Sequence, residues 1–331
     1  MKYVIKVSDV PRFTTIFNYI RYKTDIVKKF NRLPKQDSHV YELDFGMDVA
    51  ELKRKAESAI NKHGTYGWLS KQGRSKSSYR SLSLVHNPHI DDPEVNEYNS
   101  TLGSSLIGNQ RFFYTTWFTV LCQLRGKTKN SYYDSFAFNQ PNSIMTEEFA
   151  DLLSTFQRTQ IRSRMSVILA NASDSLHPEY LLHKDEPVYH NVRINIPLTD
   201  TTDHFLKIED QEVCFEAGKA YTWDTHKPHR VYGMSTQPRI NLVLGFSPWF
   251  DYVQEDDVWI SNQYYGEVHP LEMVKSGLVS TAVARWQEAE LGSHPPPSVF
   301  YLLTTIQKRS RIQSKSMLCT ICLSPTTCIT R

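Results

Sequence analysis

From about Ser166 to Phe246 the chain is cut into short β-rich runs, and this constrains its fold more than any other feature. The runs are "SVILA" (166–170), "VYHNVRINI" (188–196), "HFLKI" (204–208), "EVCFE" (212–216), "AYTW" (220–223), "HRVYG" (229–233) and "RINLVLGF" (239–246). The pieces between them, "TDTTD", "EDQ", "EAGK", "DTHKP" and "GMSTQP", are rich in turn formers. Strands this short, at a pitch of about 10 residues, predict an antiparallel sandwich or barrel of roughly eight strands. The expected fold is therefore mainly β, a double-stranded β-helix (jelly-roll, cupin-like) core with flanking helices from a mixed α/β N-terminal region.

Outside this stretch the texture differs. "MDVAELKRKAESAINKHG" (47–64) predicts a helix: Asp48 can cap it, Glu51 follows three residues later and Gly64 closes it. "SSYRSLSLVHNP" (77–88) alternates like a strand. "NQRFFYTTWFTVLCQL" (109–124) is apolar and fits either helix or strand. "MTEEFADLLSTFQRT" (145–159) predicts a helix capped by Thr146, with Phe149, Leu152, Leu153 and Phe156 on one face. "KNSYYDSFAFNQP" (129–141) mixes aromatic and polar residues, and ordinary core packing is the expected use of its rings. Three regions follow: 1–150 as a mixed α/β region shaping the substrate site, 151–255 as the barrel core, and 256–331 as a C-terminal extension. The last 25 or so residues of that extension are basic, cysteine-containing and expected to be poorly ordered.

Composition narrows the function classes. The net charge of the 331 residues is +3, and the excess sits in the acid-free stretch after Leu291. The rest is close to neutral, which gives no clear sign of nucleic-acid binding. The five cysteines are odd in number, and Cys319, Cys322 and Cys328 crowd the tail. They do not form a disulfide framework, so a reducing compartment is expected. "CTICLSPTTC" lacks a fourth zinc ligand nearby. The N-terminal segment lacks an apolar signal-like core, and no window is apolar enough for a membrane span. The reading is a cytoplasmic protein (host cytoplasm for a viral chain) with no membrane partner and an unassigned oligomeric state.

The chemistry begins at "HKDEPVYHNVRINIPL" (183–198). In an extended segment residues two apart point the same way, so His183 and Asp185 can converge on one point. The turn "WDTHKPHRVYG" offers His226 or His229 as a third group. Two histidines and a carboxylate on one face hold non-haem Fe(II) with open positions, or zinc as an alternative. In "RINLVLGF", Arg239, Asn241, Val243 and Gly245 share one face, while Ile240, Leu242, Leu244 and Phe246 form the core face. A guanidinium facing into a barrel implies an anion, and its planar fork suits a carboxylate.

These elements, "HKD", "NVRINIPLT" and "KPHRVYGMSTQPRINLVLGF", resemble the aspartyl/asparaginyl/proline hydroxylase family of Fe(II)/2-oxoglutarate-dependent dioxygenases over roughly residues 160–250. The family's Arg-x-His/Asn-x-Pro-Leu strand is matched by Arg193, Asn195, Pro197 and Leu198. An arginine ten residues beyond the second metal histidine is matched by Arg239 after His229, which selects His229 over His226. The chain keeps Asp185, as the free-proline hydroxylases do and some aspartyl and asparaginyl hydroxylases do not.

The resemblance implies a metal set of His183, Asp185 and His229, and an enzyme that is a hydroxylase. Its cofactors would be Fe(II), 2-oxoglutarate as cosubstrate and O2, with ascorbate as a stimulant. Arg239 would pair with the distal carboxylate of the keto acid. Arg193 would contact the keto acid or a substrate carboxylate, and Ser173 or Ser175 could hydrogen-bond the keto acid. The partner is a small-molecule or peptide substrate: an amino acid, a peptide side chain or a small acid. Two alternatives remain beside this one: a β-barrel that binds without oxidising, and a Zn/Mn cupin-type enzyme that does not use 2-oxoglutarate.

Overall fold

The computed structural model describes residues 3–6, 24–36, 40–43, 46–67, 69–70, 73–74, 79–88, 96, 135–169, 182–200, 204–209, 211–233 and 237–279. The expectations on 109–124, on Ser173 and Ser175, and on the tail with its cysteines lie outside them, as do Cys122 and "HPPPSVF" (294–300).

The central strands, in chain order, are β1 (Val40–Leu43), β2 (Tyr66–Gly67), β3 (Tyr79–Ser83), β4 (Arg164–Ile168), β5 (Val192–Pro197), β6 (His204–Ile208), β7 (Gln211–Cys214), β8 (Ala220–Trp223), β9 (His229–Gly233) and β10 (Arg239–Phe246). They form two antiparallel sheets. The larger has the order β1-β8-β5-β10-β4-β3-β2 and the smaller β7-β6-β9. His183 bridges His229 on the open side of β9 and so extends the smaller sheet. From β4 onward the chain alternates between the sheets: β4, then the His183 segment, then β5, then the β6–β7 hairpin, then β8, β9 and β10. That alternation is a double-stranded β-helix, a mainly β jelly-roll core as expected.

Strand alternation gives the larger sheet two different faces. Register fixes which residues share a face: Asn195 opposes Val243, Val243 opposes Arg164, and Arg164 opposes Ser83. The same ladders align Ile194 with Leu244 and Leu242 with Met165. Ile194, Leu244, Leu242 and Met165 belong to the main apolar cluster, together with Leu52, Ala56 and Ala59. Those three are the buried residues of a helix over Val49–His63 (α1). Further cover comes from Ser143–Glu148 (α2), Ala150–Thr155 (α3) and Pro270–Lys275 (α4). The opposite face looks into the barrel. A second, smaller cluster of Leu206, Ile208, Phe215, Tyr221 and Trp223 packs there.

Local chemistry explains the elements. Asp48 caps α1 by accepting from the Glu51 N–H at 3.0 Å, and Gly64 ends the helix at φ 76°, as the pattern predicted. The 145–159 helix is instead two short ones. Asn142, not Thr146, is the cap, because its side chain accepts from the Met145 N–H at 3.0 Å. Phe149 breaks the run at φ −121°, with its ring buried. The 188–196 strand is shorter than predicted. Residues 188–190 turn instead, with the Pro187 carbonyl accepting from the N–H groups of His190 and Asn191.

One irregularity shapes the barrel mouth. Gln160 opposes Phe246, yet Arg164 opposes Val243, so the 160–164 side carries one extra residue. This is a β-bulge, with Arg162 at φ 53°. Gly245 faces it. A Cβ there would meet the Ile161 carbonyl oxygen at 2.1 Å, so only glycine fits.

Candidate metal centre

His183 and Asp185 are placed by the turn before β9. The backbones of His183 and His229 exchange two hydrogen bonds, at 3.0 and 2.9 Å. The Asp185 N–H donates to the Thr225 carbonyl at 2.8 Å, and the Thr225 hydroxyl donates to the Glu186 carbonyl at 2.6 Å. The 183–186 segment is thereby held to the 225–229 turn. The ligand-type atoms of His183, Asp185 and His229 all lie within 4.8 Å of one another. The two imidazole rings are 4.5 Å apart, and His229 Nε2 is 3.9 Å from Asp185 Oδ2.

The electrostatics suit metal ligation. His229 Nδ1 contacts the Lys227 carbonyl at 2.9 Å. A carbonyl only accepts, so Nδ1 carries the proton and Nε2 presents its lone pair. Burial pushes the His229 pKa down, which keeps the ring neutral. Burial alone would raise the Asp185 pKa. The Arg193 guanidinium, foremost among the neighbouring basic groups, outweighs it and holds the carboxyl well below the usual range. Two imidazoles and an ionised carboxylate on one side are the donor set that fits Fe(II).

Arg193 reaches this cluster from β5. Its side chain is 6% exposed and donates to Asp185 Oδ2. Its other terminal nitrogen lies 3.4 Å from Glu186, which also accepts from Asn191 at 3.0 Å and pairs with Arg162 at 3.1 Å. Arg239 enters from the far end of β10. It is 3% exposed, with its guanidinium 4.9 Å from the centre of the Phe215 ring. His226 is exposed. It donates from Nδ1 to the Asp185 carbonyl at 3.2 Å and stands beside the cluster, not in it. His190 packs edge-on against Phe136 and Tyr189.

Sequence reasoning missed Arg162, Arg164, Glu186 and Ser166, all on or beside the inner face. Glu186 follows Asp185 directly but looked like part of a solvated charge run. Arg162 depends on the bulge, which no short pattern announces. A groove of about 1090 Å³, lined by residues including Tyr3, Asp25, Lys29 and Asp251, lies against another three-stranded sheet and contains none of these groups. Among the described residues the triad, not the groove, combines convergent ligand atoms with buried charge.

A jelly-roll core with two histidines and an aspartate converging at its mouth is the donor arrangement of the non-haem iron oxygenases. Residues 96–248 match the family model for aspartyl/asparaginyl beta-hydroxylase. Over that stretch, somewhat under half of the chain, the chain is similar to this hydroxylase family, and the stretch takes in His183, Asp185 and His229. A comparison with curated proteins finds no match.

Solved structures that match include a prolyl-4-hydroxylase from Pseudomonas putida, at 10% identity and TM-score 0.30 over 67% of this chain and 97% of that one. A second is a 2OG-Fe(II) oxygenase family oxidoreductase from Burkholderia pseudomallei, at 10% identity and TM-score 0.28 over 72% and 90%. Likenesses this distant add nothing to the family match. Among the described residues no helix is long and apolar enough to cross a membrane.

Proposed function

We propose that the protein hydroxylates an unactivated C–H bond of an amino acid, a peptide side chain or a small acid, with His183, Asp185 and His229 holding Fe(II). The observation that carries this reading is the convergence of those three side chains within 4.8 Å, beside a barrel interior lined with arginine. Bound there, iron with 2-oxoglutarate supplies the oxidising power, consuming O2 and releasing succinate and CO2.

The chain's own residues do the rest. The Lys227 carbonyl fixes the His229 tautomer. Arg193 keeps Asp185 ionised and stands within reach of the keto acid's first carboxylate or of a substrate carboxylate. Arg239, inside the barrel, takes the distal carboxylate as a charge-assisted bidentate partner. Ser166 shares the inner face with Asn241 and offers a hydroxyl toward that end. The apolar cluster of Leu206, Phe215 and Trp223 keeps water from the cosubstrate. Residues 151–255 carry the chemistry and the N-terminal region shapes the approach of the substrate. The cysteine usage fits the cytoplasm.

The test is succinate release by the purified protein with Fe(II), ascorbate and 2-oxoglutarate. Turnover that depends on both metal and keto acid is expected. No succinate with any metal, and no keto-acid-dependent thermal shift, would overturn the reading in favour of a binding barrel or a 2-oxoglutarate-independent cupin. Arg239→Ala should raise the keto-acid KM far more than it weakens metal binding.

A further inference from the structure

Glu186 directly follows Asp185 but stands outside the converging triad. Three donors meet on one of its oxygens, Oε2: Asn191 Nδ2 at 3.0 Å, Arg162 Nη1 at 3.1 Å and Arg193 Nη2 at 3.4 Å. They come from three places: the residue just before β5, the bulge before β4, and β5 itself. The carboxylate is therefore fixed from several sides and is not free to turn to a metal. Arg162 balances its charge, so Glu186 adds position rather than net charge to the site.

That position bears on Arg193. Its Nη1 donates to Asp185 Oδ2, its Nη2 donates to Glu186, and its Nε is buried without a hydrogen bond. A guanidinium facing a lone carboxylate commonly closes on both oxygens through two parallel N–H groups. Here the fork is divided between two carboxylates. Asp185 receives Arg193 on Oδ2, and Oδ1 stays outside the pair. A ligand carboxylate has to give lone pairs to its metal, and a two-pronged arginine would compete for them.

We propose that Glu186 is a positioning residue. Anchored by Arg162 and Asn191, it holds one prong of Arg193 and so keeps Arg193 from closing on both oxygens of Asp185. Asp185 is thereby left available to a metal. This rests on the reading of His183, Asp185 and His229 as metal ligands.

The test titrates the metal-free full chain with Mn(II) alone by calorimetry, with the melting temperature of each variant as a check on folding. Glu186→Gln has nearly the size of the original side chain and releases the Arg193 prong. It should weaken Mn(II) binding by about 10- to 100-fold, the usual cost of removing a group that orients a metal ligand. Glu186→Asp keeps the charge but shortens the reach to Arg193, and should lose a comparable factor. In an Arg193→Gln background there is no fork to misdirect. Glu186→Gln should then change Mn(II) affinity by less than about threefold, because the two residues act as one unit.

The proposal falls if Glu186→Gln binds Mn(II) as the wild type does. It falls if the loss is equally large in the Arg193→Gln background, because Glu186 would then act through its charge or through the fold at large. It also falls if Glu186→Asp keeps the wild-type affinity, since charge without reach would suffice. Should Glu186→Gln not fold, Glu186→Asp in the two backgrounds decides the same question. A wild type that binds no Mn(II) overturns the metal reading itself, and the proposal with it.

Discussion

The two faces of the larger sheet are built from the same strands and obey different rules. On the outer face Ile194, Ile196, Leu242 and Leu244 join one continuous apolar cluster with α1 and its neighbours. On the inner face Arg193, Asn195, Arg239 and Asn241 are equally buried but polar. The outer face stabilises the fold through area removed from water, about 1.5–3 kcal/mol per large side chain. The inner face spends stability on desolvated charge, and Glu186 and Asp185 offset only part of it. A single strand thus anchors the core with its even residues and aims chemistry with its odd ones.

The sharpest break of this comparison separates function from fold. His229→Ala or His183→Ala should abolish metal-dependent succinate release, by a factor on the order of 10³ or more. The melting temperature of the metal-free protein should change little. Asp185→Ala should also abolish turnover but lower stability as well, because it strands the buried Arg193. Metal titration and calorimetry on the three variants check both halves. On the other face the pattern inverts. Leu242→Ala should cost about 2–5 kcal/mol of stability. The fraction that remains folded should bind metal as the wild type does, as denaturant unfolding and titration would show. Equal losses of both properties from either face would mean that the two faces are not separable.

The inner face was legible in the sequence where its residues repeat at period two or fall at a diagnostic spacing. "HKD" gave two of the triad, and the family resemblance, through its ten-residue step to Arg239, picked His229 as the third. β6, β8, β9 and β10 begin and end where their patterns say, because turn formers bound them tightly. What stayed hidden depends on three-dimensional detail. Arg162 points at Glu186 only because one extra residue bulges opposite Gly245. Arg164 looked like a strand-entry charge, since a single arginine does not announce which face it takes. Asn142 was passed over as a cap because Thr146 also fits the pattern, and the break at Phe149 has no signal in a periodic apolar run.

A third test acts on what braces the outer face. His269 caps α4, where its Nδ1 accepts from the Leu271 N–H at 3.2 Å. Accepting requires the neutral ring. Burial, together with the charges of Lys275 and Lys227, depresses its pKa from 6.5 to about 4. The unfolded chain therefore binds a proton between these values that the folded chain does not. Its contribution to stability is present above pH 6.5, declines as pH falls from there, and is fully lost below about pH 4. The size is at most about 3 kcal/mol. Urea unfolding at pH 7 and pH 5 should show a smaller loss in His269→Asn, which keeps a cap but cannot titrate there. An unchanged pH slope in that variant would remove His269 from the account.

The smallest effect is expected from His226, and it decides how narrowly the inner site is drawn. His226 lies three residues from His229 on the same turn, so sequence proximity alone would make it a ligand. In the structure it is exposed and gives its proton to the Asp185 backbone carbonyl, not to the carboxylate. Removing that bond leaves Asp185 held by its own N–H on Thr225 and by Arg193. A net hydrogen bond of this kind is worth about 0.5–1.5 kcal/mol, and solvent can replace it. His226→Ala should therefore change metal affinity by no more than about fivefold, with turnover at saturating iron nearly unchanged. A loss as deep as that of His229→Ala would put His226 among the ligands, and the turn would have to present a different ring to the metal than the one His183 pairs with across β9.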